Sequence, residues 1–263
     1  MHLELKQAVG AILALSFTSS VQSHDLGPDH DGWQFRLTPY VWGAGMDGRV
    51  AQFGLPTTHI SQSFGEVLDN LKLGGMLAVE ARKDRFGLLA DVLHVRLGES
   101  GQAVVPAPPA PIPGISVKAR ASVNLTTALF AGQYRTIDMP QGYLDLIAGV
   151  RHWSVNTRIT ISSQALGVNL SGQESESWND AMVGAKALYK LDDRFYTLGM
   201  AMIGGFGSNV RSSSDIMLGL GYSLNDRAAL LLSYRHLAVD YRKSDFVYDT
   251  RMHGPGIGLD YRF

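Results

Sequence analysis

The 263 residues include no cysteine, which excludes disulfide frameworks, thiolate metal sites and cysteine nucleophiles. Charge of one sign is missing as well. The 23 Lys+Arg stand against 24 Asp+Glu, a formal net charge of −1, so there is no basic footprint for nucleic acid. Long apolar runs are absent beyond the N-terminus. The longest charge-free stretches there, Phe195 to Val210 with four glycines and Ser100 to Val117 with five prolines, cannot supply the ~20 consecutive apolar residues of a spanning helix. A helical membrane bundle is therefore excluded. What the chain does have is 29 glycines and 45% hydrophobic residues, spread thinly along its length.

Lys6 precedes the apolar run Ala8 to Leu15, and small and polar residues follow to Val21-Gln22-Ser23. A run this short, with Val21 and Ser23 at the −3 and −1 positions of a cut, reads as a secretory signal peptide over 1–23. A leader over 24–32 follows. Its His24-Asp25 and Asp29-His30-Asp31 are metal-ligand types, but Gly27 and Pro28 leave them without a rigid frame, so a solvated periplasmic segment is expected and no metal site or cofactor.

From Trp33 onward apolar and polar residues alternate with period 2, the mark of strands with one greasy face. Ten candidate strands follow, at roughly 33–50, 71–82, 86–98, 115–135, 143–161, 177–191, 195–207, 213–224, 227–241 and 249–263. Many exceed the usual ~5 to 6 residues of globular strands. Lys83-Asp84-Arg85, Asp138 to Gly142, Asp192-Asp193-Arg194 and Asn225-Asp226-Arg227 are tight turns, while the connections between them are mostly longer. Short turns at one end and long loops at the other predict an all-β fold: a transmembrane antiparallel up-and-down β-barrel of about ten strands over 33–263. Only a closed barrel lets an extended chain satisfy its backbone polar groups in hydrocarbon.

Parity then assigns faces. Trp33, Phe86, Tyr189, Tyr196, Phe206, Tyr222, Tyr261 and Phe263 are expected outside, in the interfacial girdles. A lumen charge network is expected from Arg36, Glu80, Asp91, Arg120, Asp145, Arg151 and Arg235, joined by Lys72, Lys118, Asp180, Lys186 and Asp260. In 115–131 this reading turns Lys118, Arg120, Ser122, Asn124 and Thr126 inward and the apolar row from Val117 to Ala131 outward. One segment breaks the period. Phe64, Val67, Leu68 and Leu71 are spaced i, i+3, i+4, i+7, and Ser63 with Glu66 makes a capping box. A short helix in the first extracellular loop is expected, folded into the mouth over Leu89, Leu93 and Val95 as a gate or a static plug.

Leu37 to Gly45, Phe64 to Leu97 and Tyr234 to Phe263 together resemble a broad family of Gram-negative, porin-like outer-membrane β-barrel proteins without an assigned activity. The resemblance implies an outer-membrane location, a lipid and lipopolysaccharide environment, and no catalytic residue. Gly258, Tyr261 and Phe263 are similar to the C-terminal assembly signal read by the barrel assembly machinery, for which an unpaired sheet edge is a natural template.

For catalysis, Ser233 and His236 lie three apart on one strand and face opposite ways, which excludes a dyad. His152 and Ser154 share the outward face, similar to the outward His-x-Ser of outer-membrane lipid A deacylases, yet no carboxylate stands beside them to complete a triad. His94 and Arg96, also outward, can meet lipopolysaccharide phosphates or simply snorkel. The proline-rich stretch 104–113 favours polyproline II and reads as an exposed loop or a partner-binding one. The expected function is a non-enzymatic structural protein or a narrow, gated channel for small solutes, with a lipid A deacylase-like hydrolase as the alternative. Nothing in the sequence sets an oligomeric state.

Overall fold

The computed structural model describes residues 32–105, 115–163, 167–206 and 209–263. The expected signal peptide, the leader up to residue 31 and the proline-rich stretch from 106 lie outside them. The strands are β1 Gln34–Trp42, β2 Gly45–Ala51, β3 Thr58–Gln62, β4 Leu71–Lys83, β5 Phe86–Val105, β6 Ile115–Met139, β7 Gly142–Ser163, β8 Val168–Lys190, β9 Phe195–Gly204, β10 Val210–Ser223, β11 Ala228–Lys243 and β12 Phe246–Arg262. One short helix, α1 Phe64–Asp69, precedes β4.

From β4 to β12 each strand pairs antiparallel with the next, and β1 pairs with both β4 and β12, which closes the ring. After a break at Gly43 and Ala44, β2 continues the line of β1 along the same β12, so the wall has ten staves, with β3 hairpinned onto β2. Closure removes the exposed edges that would otherwise recruit other chains. The tight turns are held by their own acids and amides. Asp192 accepts from the backbone N–H of Arg194 and Phe195 at 2.8 and 2.7 Å, and Asn225 from those of Arg227 and Ala228, both at 2.9 Å. These hydrogen bonds to Phe195 and Arg194 hold the Asp192 carboxyl below its usual range.

Three expectations are corrected. The stretches 99–105 and 168–176, expected as loops, are strand, because the wall continues past the ~9–11 residues that cross a bilayer. The faces of β6 are the reverse of those expected: Leu125, Leu129 and Ala131 are buried in the lumen, while Lys118 and Arg120 are exposed on the exterior. Around Lys118 and Arg120, beyond the membrane, the outer face meets water, so the polar row of β6 turns outward there. Tyr196 faces the lumen at 5% exposure rather than joining a girdle. Its ring lies over its cross-strand partner Gly221, where an added Cβ would sit 2.0 Å from the ring.

Candidate functional site

The lumen holds two ionic layers with a cavity between them and an aromatic cluster above. In the layer near the tight turns, Glu80 accepts from Lys186 and, at 3.4 Å, from Arg82, while Arg82 reaches on to Asp145. Asp145 also accepts from Arg135 Nε at 3.0 Å, whose guanidinium lies 3.9 Å over the Tyr143 ring. Arg36 stands 3.5 Å from Asp260, which Thr38 also contacts at 3.1 Å. Opposite charges crowded out of water must pair, since a lone buried charge costs several kcal/mol.

The second layer centres on Arg235. Its Nε and Nη2 donate to the two oxygens of Asp215 at 2.9 and 2.7 Å, Nη2 also reaches Asp91 at 2.5 Å, and Nη1 donates to Tyr40 Oη at 2.9 Å. Tyr40 in turn donates to Asp91 at 2.6 Å, and Arg151 donates to Asp215 from the opposite side. This chain joins β1, β5, β7, β10 and β11 across the lumen. A cavity of about 100 Å³ separates the layers, walled by Leu89, Leu198, Met200, Met217 and Leu231.

Above Arg235 the lumen is filled. The Trp42 ring lies 5.5 Å from its guanidinium and is pinned by Nε1 donating to Gly254 O at 3.0 Å. Trp178 stacks between Trp153 at 5.8 Å and Tyr241 at 4.0 Å, both at 10°, and Phe246 and Tyr248 close around it. Leu93, Leu125, Val155, Leu237 and Val239 complete this cluster.

Of the expected lumen network, Arg36, Glu80, Asp91, Asp145, Arg151 and Arg235 lie together inside, and Arg120 lies on the exterior. The mouth helix is displaced from its expected place. α1 packs against β2 and β3, buries none of its residues, and sets the Phe64 ring against Gly43; Val67 and Leu68 lie on it, and Leu71 begins β4. Leu93 is covered by the aromatic cluster instead, and Leu89 by Leu129, Ala131, Ile147 and Met200. The capping box is present, with Ser63 N donating to Glu66 at 2.8 Å, which lowers the Glu66 pKa.

At the C-terminal seam, Gly258 lets β12 approach β1, because an added Cβ would lie 3.1 Å from that of Tyr40. Tyr261 and Phe263 pack edge to face outside at 4.9 Å, and Phe263 N donates to Phe35 O at 3.0 Å. His152 and Ser154 both face outward. His152 Nδ1 contacts Asn179 Oδ1 at 2.8 Å, Ser154 stands in register with Thr126 and Ser177, and no hydrogen bond joins the two.

Sequence reasoning missed Asp215, Arg82 and Trp178. For Asp215 the signal was available: Ile216, Leu218 and Leu220 mark the outward row of β10, so Asp215 faces in. For Trp178, parity with Asp180 on the same strand would have sufficed.

No family model and no curated protein matches this chain. Among solved structures it is similar to the outer membrane protease OmpT of Escherichia coli, at 12% identity and a TM-score of 0.53, over 89% of this chain and 97% of that one. The translocator domain of the autotransporter NalP of Neisseria meningitidis gives 16% identity and a TM-score of 0.43, over 89% and 90%. At these identities the likeness concerns the fold alone. The fold is that of an outer-membrane β-barrel, and its apolar outer band belongs in that membrane.

Proposed function

We propose that this barrel is a non-enzymatic structural protein of the outer membrane with a shut lumen. The observation that carries the reading is Arg235, which ties Asp91, Asp215 and Tyr40 together across the lumen directly beneath the aromatic cluster. A narrow, gated channel would have to break this network, and the displaced α1 offers no hinge for doing so. Planar-bilayer recording of the purified protein tests the proposal. Silence is expected, and steady single-channel steps would replace the shut barrel by a channel.

One observation favours a second reading, an outward-facing lipid hydrolase. Asn179 fixes the His152 ring, so Nε2 is left to act as a base for a lipid-side reaction at Ser154. Mass spectra of lipid A from cells with and without the protein decide it. An acyl chain lost only with His152 intact would favour the hydrolase.

A further inference from the structure

The exterior above the apolar band differs between its two sides. On β2, β3, β11 and β12 the bases Arg49, Arg242 and His59 stand against acids: Arg49 against Asp249, Arg242 against Asp240 at 2.8 Å and Asp249 at 3.4 Å, and His59 against Asp47 at 3.4 Å, while the exposed Arg251 is in register with Asp47. On β5 to β8 the exterior carries Arg96, Lys118, Arg120 and Arg158 with His94 and His152, rising from His152 beside Ala128 to Lys118 farther out on β6, and among the described residues no carboxylate shares that face. The acids of β8 are turned the other way. Glu176 accepts from Tyr241 and Lys243 at 2.8 and 2.7 Å, and Glu174 from the backbone N–H of Phe53.

The partners these bases do have are neutral. Arg96 Nε donates to Asn124 Oδ1 at 2.8 Å and Arg158 Nη2 to Gln173 Oε1 at 2.6 Å, while His94 Nδ1 meets Thr126 Oγ1 at 2.8 Å. An amide acceptor holds a guanidinium in place without cancelling its charge. With Nε occupied, Arg96 keeps both terminal nitrogens for a bidentate anion. Arg120 is in register with Thr160 and Arg158 with Ser122, so the two arginines are diagonal neighbours on β6 and β7, with backbones roughly 7–8 Å apart. Like charges at that separation repel unless an anion sits between them. Farther down the same faces the apolar band begins at Val92 and Val150, four residues below Arg96 on β5 and eight below Arg158 on β7, the latter about 25 Å of strand.

We infer that this face binds a phosphorylated glycolipid of the outer leaflet, lipopolysaccharide. A lipid A phosphate is held by Arg96, just above the apolar band on which the acyl chains rest, and a phosphate of the core saccharide, farther from the membrane, lies between Arg120 and Arg158. Both ends of the amphiphile are matched on this half of the wall. The site is independent of whether the lumen conducts.

The test uses the purified full barrel in detergent, titrated with lipopolysaccharide phosphorylated on lipid A and core, with the same lipopolysaccharide dephosphorylated, and with inorganic phosphate alone. The triple variant R96Q/R120Q/R158Q should bind the phosphorylated lipopolysaccharide about tenfold more weakly, and removing the phosphates should have a similar effect on the unaltered protein. R49Q/R242Q, on the opposite side, should bind unchanged. Heat-dependent gel mobility reports folding, and if the triple variant does not fold, single R96Q and R158Q, each weakened about threefold, carry the test. Equal binding of the two lipids, an equal loss in R49Q/R242Q, or displacement of the lipid by millimolar phosphate would overturn the assignment.

Discussion

The membrane-crossing half of the barrel and the half beyond it share a wall, a register and an alternation, yet their outer faces are opposite in polarity. In the lower half Leu77, Leu88, Phe130, Leu146, Val150 and Val183 face out and Glu80, Arg82, Asp145 and Lys186 face in. In the upper half Trp153, Trp178, Leu237, Tyr241 and Tyr248 face in, while Arg96, Asn124, Asn156 and Arg158 face out. The strands β6, β7 and β8 cross from one regime to the other without interruption. The lesson is about solvent. Against lipid the outer face must be apolar, so the polar side chains turn inward, where they satisfy one another beside apolar clusters such as Leu89, Leu129 and Met202. Against water the ordinary hydrophobic drive returns, and the same wall closes around an apolar core.

The largest effect should come from the junction of the two halves. Asp215→Ala leaves Arg151 and Arg235 buried beside a lost partner, a type of change that costs about 3 to 5 kcal/mol. Urea titration followed by heat-dependent gel mobility should show that loss, and a midpoint unchanged from the parent would mean the network is not a structural tie. In the upper core, Trp178→Ala removes the ring stacked between Trp153 and Tyr241 and should cost about 3 kcal/mol, with a drop in near-ultraviolet dichroism from the cluster.

The polarity contrast itself is sharpened by one substitution placed on either side of the boundary. Leu146→Arg puts a charge near the middle of the lipid-facing surface of β7 and should cost about 2 to 4 kcal/mol in a refolding assay in vesicles. Asn156→Arg, outward on the same strand in the upper half, should be close to neutral. Similar costs at both sites would dissolve the division into halves. The smallest effect concerns α1. Because Ser63 holds the Glu66 carboxyl below its unfolded value, the cap's contribution is complete above the unfolded pKa and is lost as pH falls through the folded one. Amide exchange at Val67 and Asn70, corrected for intrinsic rates, should quicken at acid pH, and Glu66→Gln should remove most of that dependence.

Much of the architecture was legible residue by residue. Asp192 and Asn225 announced their turns, and the capping box of Ser63 and Glu66 announced α1. The outward row Leu146, Val150 with His152 above it, and the inward Arg151, Asp145 and Arg235, follow from period-2 counting. The errors of face have one source. Lys118 and Arg120 read as lumenal because a polar face was equated with the inside, and Tyr196 read as a girdle residue because an aromatic near a strand end was equated with the outside.

The chain's alternation and its short turns thus settle that strands form, where they reverse and which residues share a face. They do not settle which solvent a face meets, because period 2 records only that the two faces differ. The height of each residue relative to the membrane follows from register and closure, from β12 meeting β1 and from pairings such as Leu129 with Arg151. Nor does local pattern reveal that Arg235 finds Asp91, 144 residues away in sequence, and Asp215 within one layer. Those partners come from strands that meet only across the lumen, so their pairing exists only once the ring has closed.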